Sequence, residues 1–60
     1  MIDLRSLEYD ELLKLLIDLG EPKFRAKQIF SWLSRGVDSI DEMTNISKAT
    51  KEKLKENCFI

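Results

Sequence analysis

The stretch YDELLKLLIDLG, residues 9–20, limits the possible folds more than any other part of the chain. Tyr9, Leu12, Leu13, Leu16 and Leu19 share one face at helical spacing, and Leu15 and Ile17 widen that face past an ordinary amphipathic stripe. The spacing predicts a helix from Glu8 or Tyr9 to Leu19. Asp10 and Glu11 stand in its first turn, where the helix dipole favours anions. Gly20 follows the last apolar residue, the position at which a glycine commonly ends a helix.

The rest of the chain continues in the same idiom, with helical spacing easy to find and strand-type alternation hard to find. A second helix is predicted from near Pro22, a residue suited to a first helical position, to about Arg35, with Gly36 as its stop. Ala26, Ile29, Leu33 and Val37 form its core face, with Phe30 flanking. Ser39 and Glu42 have the spacing of a capping box and open a short helical turn holding Ile40 and Met43, which Thr44-Asn45 breaks. Ser47 caps a last helix, about Lys48 to Asn57, whose thin apolar edge is Leu54 and Cys58. Ile46, Phe59 and Ile60 are available to complete the core. The expected fold is all-α, a small bundle of three to four short helices with short connections.

A chain of 60 residues forms one domain and buries only about 60% of the surface it exposes when unfolded. That leaves little room for a buried catalytic pocket. There is no histidine to move protons near neutral pH, and the lone Cys58 can neither form an internal disulfide nor hold an iron–sulfur cluster. Zinc-type Cys/His spacing and Gly-rich phosphate loops are also missing from the sequence. Catalysis by these residues is not expected. The single cysteine fits a reducing compartment, the sequence shows no secretory n-region, and its apolar runs are too short to span a bilayer. The expected location is the cytoplasm, without a membrane partner.

Charge is more informative as a distribution than as a total. The net charge of −1 arises from blocks of −4 (residues 1–21), +4 (22–37), −3 (38–46) and +2 (47–60). The positive block contains Lys23, Arg25, Lys27 and Arg35 without an acid, interleaved with Phe24, Phe30 and Trp32. On a helix Arg25, Gln28, Trp32 and Arg35 form one ridge along the edge of the apolar face, with Lys23 and Lys27 on the outer side. Arginine grips phosphate bidentately, lysine adds point charge, and glutamine reads a base edge or a sugar hydroxyl. Lys48, Lys51 and Lys55 make a second ridge on the last helix, diluted by Glu52 and Glu56. Each group also has a plainer reading. Phe24, Phe30 and Trp32 fit a core or half-core, the stem of Arg25 fits a cover over apolar surface, Gln28 fits a backbone partner, and the lysine ridge fits a solvated face.

The segments LGEPKFRAKQIFSWL and DSIDEMTNISKATKEKL closely resemble the N-terminal domain of the RlmN/Cfr family. The resemblance runs from Leu4 to Leu54. Its most specific elements are Leu19-Gly20, Phe24-Arg25-Ala26, Gln28-Ile29, Trp32 and Asp41-Glu42-Met43-Thr44-Asn45, the last pointing to the RlmN branch. The family comprises radical S-adenosylmethionine methyltransferases that modify carbon 2 or carbon 8 of adenine in ribosomal RNA, the RlmN branch also acting on transfer RNA. The resemblance implies that residues 1–60 are a helical, helix-hairpin-helix-like accessory domain that helps engage RNA. It also implies a catalytic domain elsewhere in a longer parent chain, carrying a 4Fe-4S cluster on a CxxxCxxC motif and an S-adenosylmethionine site. No position here matches those motifs, and Cys58 is not one of them. The implied partners are 23S ribosomal RNA, transfer RNA and the parent's catalytic domain. Two other readings of the residues stand beside this one, a helix-turn-helix DNA-binding domain and a protein-docking module without nucleic-acid contact.

Overall fold

The computed structural model describes residues 1–60, all of them in one small helical unit. Strand β1 (Ile2–Asp3) leads into a 3-10 turn at Leu4–Ser6. Helix α1 covers Tyr9–Asp18, helix α2 Phe24–Ser34 and helix α3 Lys48–Asn57. A second 3-10 turn, Ile40–Glu42, lies between α2 and α3, and strand β2 (Cys58–Phe59) follows α3. The mostly helical fold is the one the apolar spacing predicts. None of its helices is long and apolar enough to cross a membrane.

Local chemistry explains where the helices stop. The chain's two glycines have φ of 80° and 81°, backbone that disfavours any residue with a Cβ. At the end of α1, Gly20 N donates to Ile17 O at 3.0 Å and Glu21 N to Leu16 O at 2.9 Å. At the end of α2, Gly36 N donates to Leu33 O at 3.1 Å and Val37 N to Trp32 O at 3.5 Å. Both ends are Schellman motifs, which satisfy carbonyls that the helix itself leaves open. The starts of α1 and α3 are capped by side chains: Glu11 Oε1 accepts from Glu8 N at 2.9 Å, and Ser47 Oγ accepts from Thr50 N at 3.3 Å. The box predicted at Ser39 forms through Glu42, whose Oε2 takes the N–H groups of Asp38 and Ser39, each at 3.0 Å.

The start of α2 differs from the sequence expectation. Pro22 is outside the helix, and its carbonyl accepts from Arg25 N at 3.1 Å while the Lys23 carbonyl accepts from Ala26 N at 3.1 Å. These three-residue closures make a tight turn into the helix, so the proline presets the entry instead of filling the first helical position.

Every helix and both 3-10 turns contribute to a single core. Leu12 and Leu16 come from α1, Ala26 and Ile29 from α2, and Leu54 from α3. The segment between α2 and α3 adds Val37, Ile40, Met43 and Ile46, and the chain ends add Leu4 and Cys58. The sequence reading did not place Leu4 in the core, yet it is fully buried. The two short strands pair in parallel, Ile2 with Cys58 and Asp3 with Phe59, and so hold both ends of the chain together. Two residues are too few to show alternation, so this pairing left no periodic signal in the sequence.

Three aromatic expectations need correction. Phe24 is 57% exposed, Phe30 37% and Phe59 46%. Phe59 faces outward because neighbouring strand residues point to opposite faces and Cys58 takes the inner one. Phe30 packs its ring edge-to-face on Tyr9, centroids 5.4 Å apart, and covers the α1–α2 seam from outside. Leu33, assigned to the core face, is half-buried.

Candidate nucleic-acid interface

Helix α2 divides its circumference between two roles. Ala26 and Ile29 enter the core, with Leu33 packed against them. On the opposite side Phe24, Gln28, Ser31, Trp32 and Arg35 follow one another at helical spacing. These residues, with Lys27 on α2 and Asn45 beyond the second 3-10 turn, line an open groove of about 330 Å³. No acidic side chain lines it.

Two hydrogen bonds fix the groove's polar groups. Trp32 Nε1 donates to Asn45 Oδ1 at 2.6 Å, and Arg25 Nη1 donates to Gln28 Oε1 at 2.9 Å. Indole and guanidinium N–H groups can only donate, so each must face an amide oxygen. The amide NH2 groups of Gln28 and Asn45 are left without a partner in the protein. The guanidinium of Arg35 lies 4.9 Å from the centroid of the Trp32 ring, and that of Arg25 lies 4.8 Å from the centroid of Phe24.

The residues proposed from sequence fall into three groups. Lys23, Lys27 and Arg35 are exposed and form no ion pair, so their charge is free to meet an anion. Arg25 is half-buried and engaged inside the protein by Gln28, by Phe24 and by Glu21, whose Oε1 is 3.8 Å from its Nε. It braces the start of α2, and Gln28 shares that task through its oxygen. The ridge on α3 is divided. Lys55 pairs with Asp41 and reaches Glu52, Lys51 donates to the Asp41 carbonyl at 3.2 Å, and only Lys48 has no partner. The Lys55 contact holds the Asp41 carboxyl below the usual carboxylate range and raises the Lys55 ammonium. Lys51 and Lys55 thus tie α3 to the acidic turn, because that turn folds back over the helix.

Some contributors went unseen in the sequence reading. In the sequence Asn45 stands out as a helix breaker and as part of the family segment 41–45 but not as a groove residue, and Ser31 does not stand out at all. The part of Asn45 in the groove depends on the loop after the second 3-10 turn returning to α2, which no local signal specifies, whereas Ser31 lies on the groove face by its helical spacing from Gln28 and Arg35.

The placement of α2 rests on Glu21. Its side chain is only 9% exposed, and it takes Lys53 Nζ at 2.8 Å and Thr50 Oγ1 at 2.7 Å. The Lys53 hydrogen bond, then that of Thr50, holds the Glu21 carboxyl below its ordinary 4.5. A group depressed in this way adds stability that is complete above the ordinary value and is lost as pH falls through the folded one. Glu21→Gln should cost about 1 kcal/mol at pH 7, roughly 4–8 °C in Tm. The gap between wild type and variant should close as the pH drops below the ordinary carboxylate range. Thermal melts at stepped pH check this, and a gap that does not narrow in acid would show that Glu21 does not act through its charge.

Comparison with known proteins adds a family. Residues 2–60 match the family model for the ribosomal RNA large subunit methyltransferase N-terminal domain. The chain is 49% identical over 59 residues to a probable dual-specificity RNA methyltransferase RlmN of Alkaliphilus oremlandii, covering 98% of this chain and 17% of that protein. It is 58% identical over 53 residues to the protein of the same name from Staphylococcus carnosus and 57% to that from Staphylococcus haemolyticus, in each case over 87% of this chain and 15% of the relative. The chain therefore spans about a sixth of the length of the curated relatives it matches.

Proposed function

The chain belongs to the family of ribosomal RNA large subunit methyltransferase N-terminal domains, and from that premise we propose that it is the RNA-engaging accessory domain of a longer, cytoplasmic methyltransferase. The parent reaction in this reading is methylation of carbon 2 of adenine in 23S ribosomal RNA and in transfer RNA. The observation that carries the RNA-engaging role is the outer face of α2. Lys23, Lys27 and Arg35 lie there without a carboxylate partner, beside a groove with aromatic walls and no acid. Unpaired cations on one rigid helix can neutralise backbone phosphates and release their counterions. Of the acids in the neighbouring blocks, Glu21 and Asp41 are occupied by Lys53 and Lys55.

Methyl transfer in this reading requires an iron–sulfur cluster and S-adenosylmethionine, and the donors of this chain do not fit the cluster. Cys58 is buried, and burial pushes its thiol up, away from the thiolate that a cluster needs. No group of His, Cys, Asp or Glu is arranged to hold a metal ion. No catalytic step is assigned to these residues, and the cluster and the cofactor are placed in the rest of the parent chain.

Binding of a labelled RNA hairpin between 50 and 200 mM salt tests the reading. Three phosphate contacts should give a slope of about −2 to −3 in log K against log salt. A duplex DNA of matched length should bind more weakly. No measurable binding to the hairpin, or binding that ignores salt, would overturn the proposal.

A further inference from the structure

The groove on α2 offers more than charge. It has an aromatic side chain towards each end, Phe24 and Trp32, about 12 Å apart along the helix axis. Between and beside them are the NH2 groups of Gln28 and Asn45, the Ser31 hydroxyl, and the cations of Lys27 and Arg35. Arg25 and Trp32 hold the two amide oxygens in place, which leaves the NH2 groups of both amides without a partner and available to an acceptor. A volume of about 330 Å³ is at the small end of ligand cavities, which start near 300 Å³. It suits one nucleotide and not a run of them.

We propose that this groove takes a single unpaired nucleotide of the RNA, its base stacked on the exposed aromatic surface and its acceptor edge against the amides of Gln28 and Asn45. The inference rests on the RNA-engaging reading and adds to it that the RNA must present an unstacked base. Several observations favour such an occupant over a paired helix. The rings and acceptors of paired, stacked bases are largely unavailable to a concave groove, whereas an extruded base offers both. Phe24 is 57% exposed although it is the first residue of α2, and the Arg25 guanidinium props one side of its ring. The Trp32 indole is fixed in orientation by Asn45, half-buried against the core and faced by the Arg35 guanidinium, so it makes a preset wall of the groove while Phe24 offers the open ring face. Lys27 and Arg35 flank the groove, where the phosphates on either side of the extruded base would lie.

Trp32 is the only tryptophan in the chain, so its emission reports on the groove directly. The probes are an RNA hairpin with a single-stranded loop and a fully paired RNA of equal length, each followed by anisotropy and by Trp32 fluorescence. The hairpin should quench the emission and the paired RNA should not, even where both bind. Phe24→Ala should weaken hairpin binding about tenfold, the scale of one lost base–aromatic stack, and leave paired-RNA binding within about twofold. Phe24→Tyr should restore it. The melting temperature of Phe24→Ala monitors folding, and Phe24→Tyr keeps the test valid if that variant is less stable. Equal, salt-dependent binding of both RNAs with no quenching and no effect of Phe24→Ala would overturn the nucleotide pocket while leaving phosphate contact in place. Loss of binding to both RNAs by the wild-type chain would overturn the RNA reading and the pocket with it.

Discussion

Leu16→Ala should destabilise the fold by about 3–4 kcal/mol, and Ile29→Ala by about 2–4 kcal/mol. Both side chains are fully buried, on α1 and α2, and belong to the same core cluster. Truncation removes their apolar area and leaves a cavity that a close-packed interior fills only in part. A core in a domain this small supplies roughly 3–5 kcal/mol in total. Either change should therefore leave a large unfolded fraction at 37 °C, visible as lost helical circular dichroism. Leu33→Ala should cost about half as much, because Leu33 is only half-buried and already borders solvent. Melts in which Leu16→Ala and Ile29→Ala match wild type would show the core to be elsewhere. A Leu33→Ala effect as large as theirs would show that the α2 stripe is deeper than the structure has it.

The second large effect is on binding. Replacing Lys23, Lys27 and Arg35 together by alanine should weaken RNA binding roughly tenfold or more at 50 mM salt and flatten the salt slope by about two to three units. Wild-type affinity should fall roughly 20–40-fold between 50 and 200 mM salt, and that of the triple variant should barely change. The melting temperature should stay close to wild type, since none of the three side chains is buried or ion-paired. Arg25→Ala should behave in the opposite way. It leaves Glu21, Gln28 and Phe24 without their brace, so it should lower the melting temperature and change the salt slope little. Alanine at Lys48, Lys51 and Lys55 should affect binding less, because two of those lysines are already spent on the Asp41 turn. If the triple variant keeps both its affinity and its salt slope, the positive block on α2 is a solvated face.

These two results depend on different layers of information. The sequence by itself determined the helices apart from the first turn of α2, because most boundaries are a local matter. The left-handed glycines at 20 and 36, the caps at Glu8, Ser39 and Ser47, and the apolar spacing of Leu12, Leu16, Ala26 and Ile29 act within a few residues of where they stand. It also determined that positive charge collects on α2, and the family pattern was legible in the order of short motifs from Leu19-Gly20 to Asn45.

Only the tertiary structure decided which of those charges are free. Whether Arg25 reaches solvent depends on Glu21, and Glu21 is held by Lys53 and Thr50 from a helix some thirty residues away in sequence. Whether Lys55 can meet a ligand depends on Asp41 folding back over α3. The same holds for the groove, since Asn45 fixes Trp32 across a loop, and for the closure of the chain ends, since Ile2 pairs with Cys58. The physical reason is the range of the forces involved. Backbone preference and helical periodicity are set by neighbours in sequence. The pairing of one charge with another is set by distance in space, and among ten cations and eleven anions the sequence permits many pairings of which the packed core selects a few.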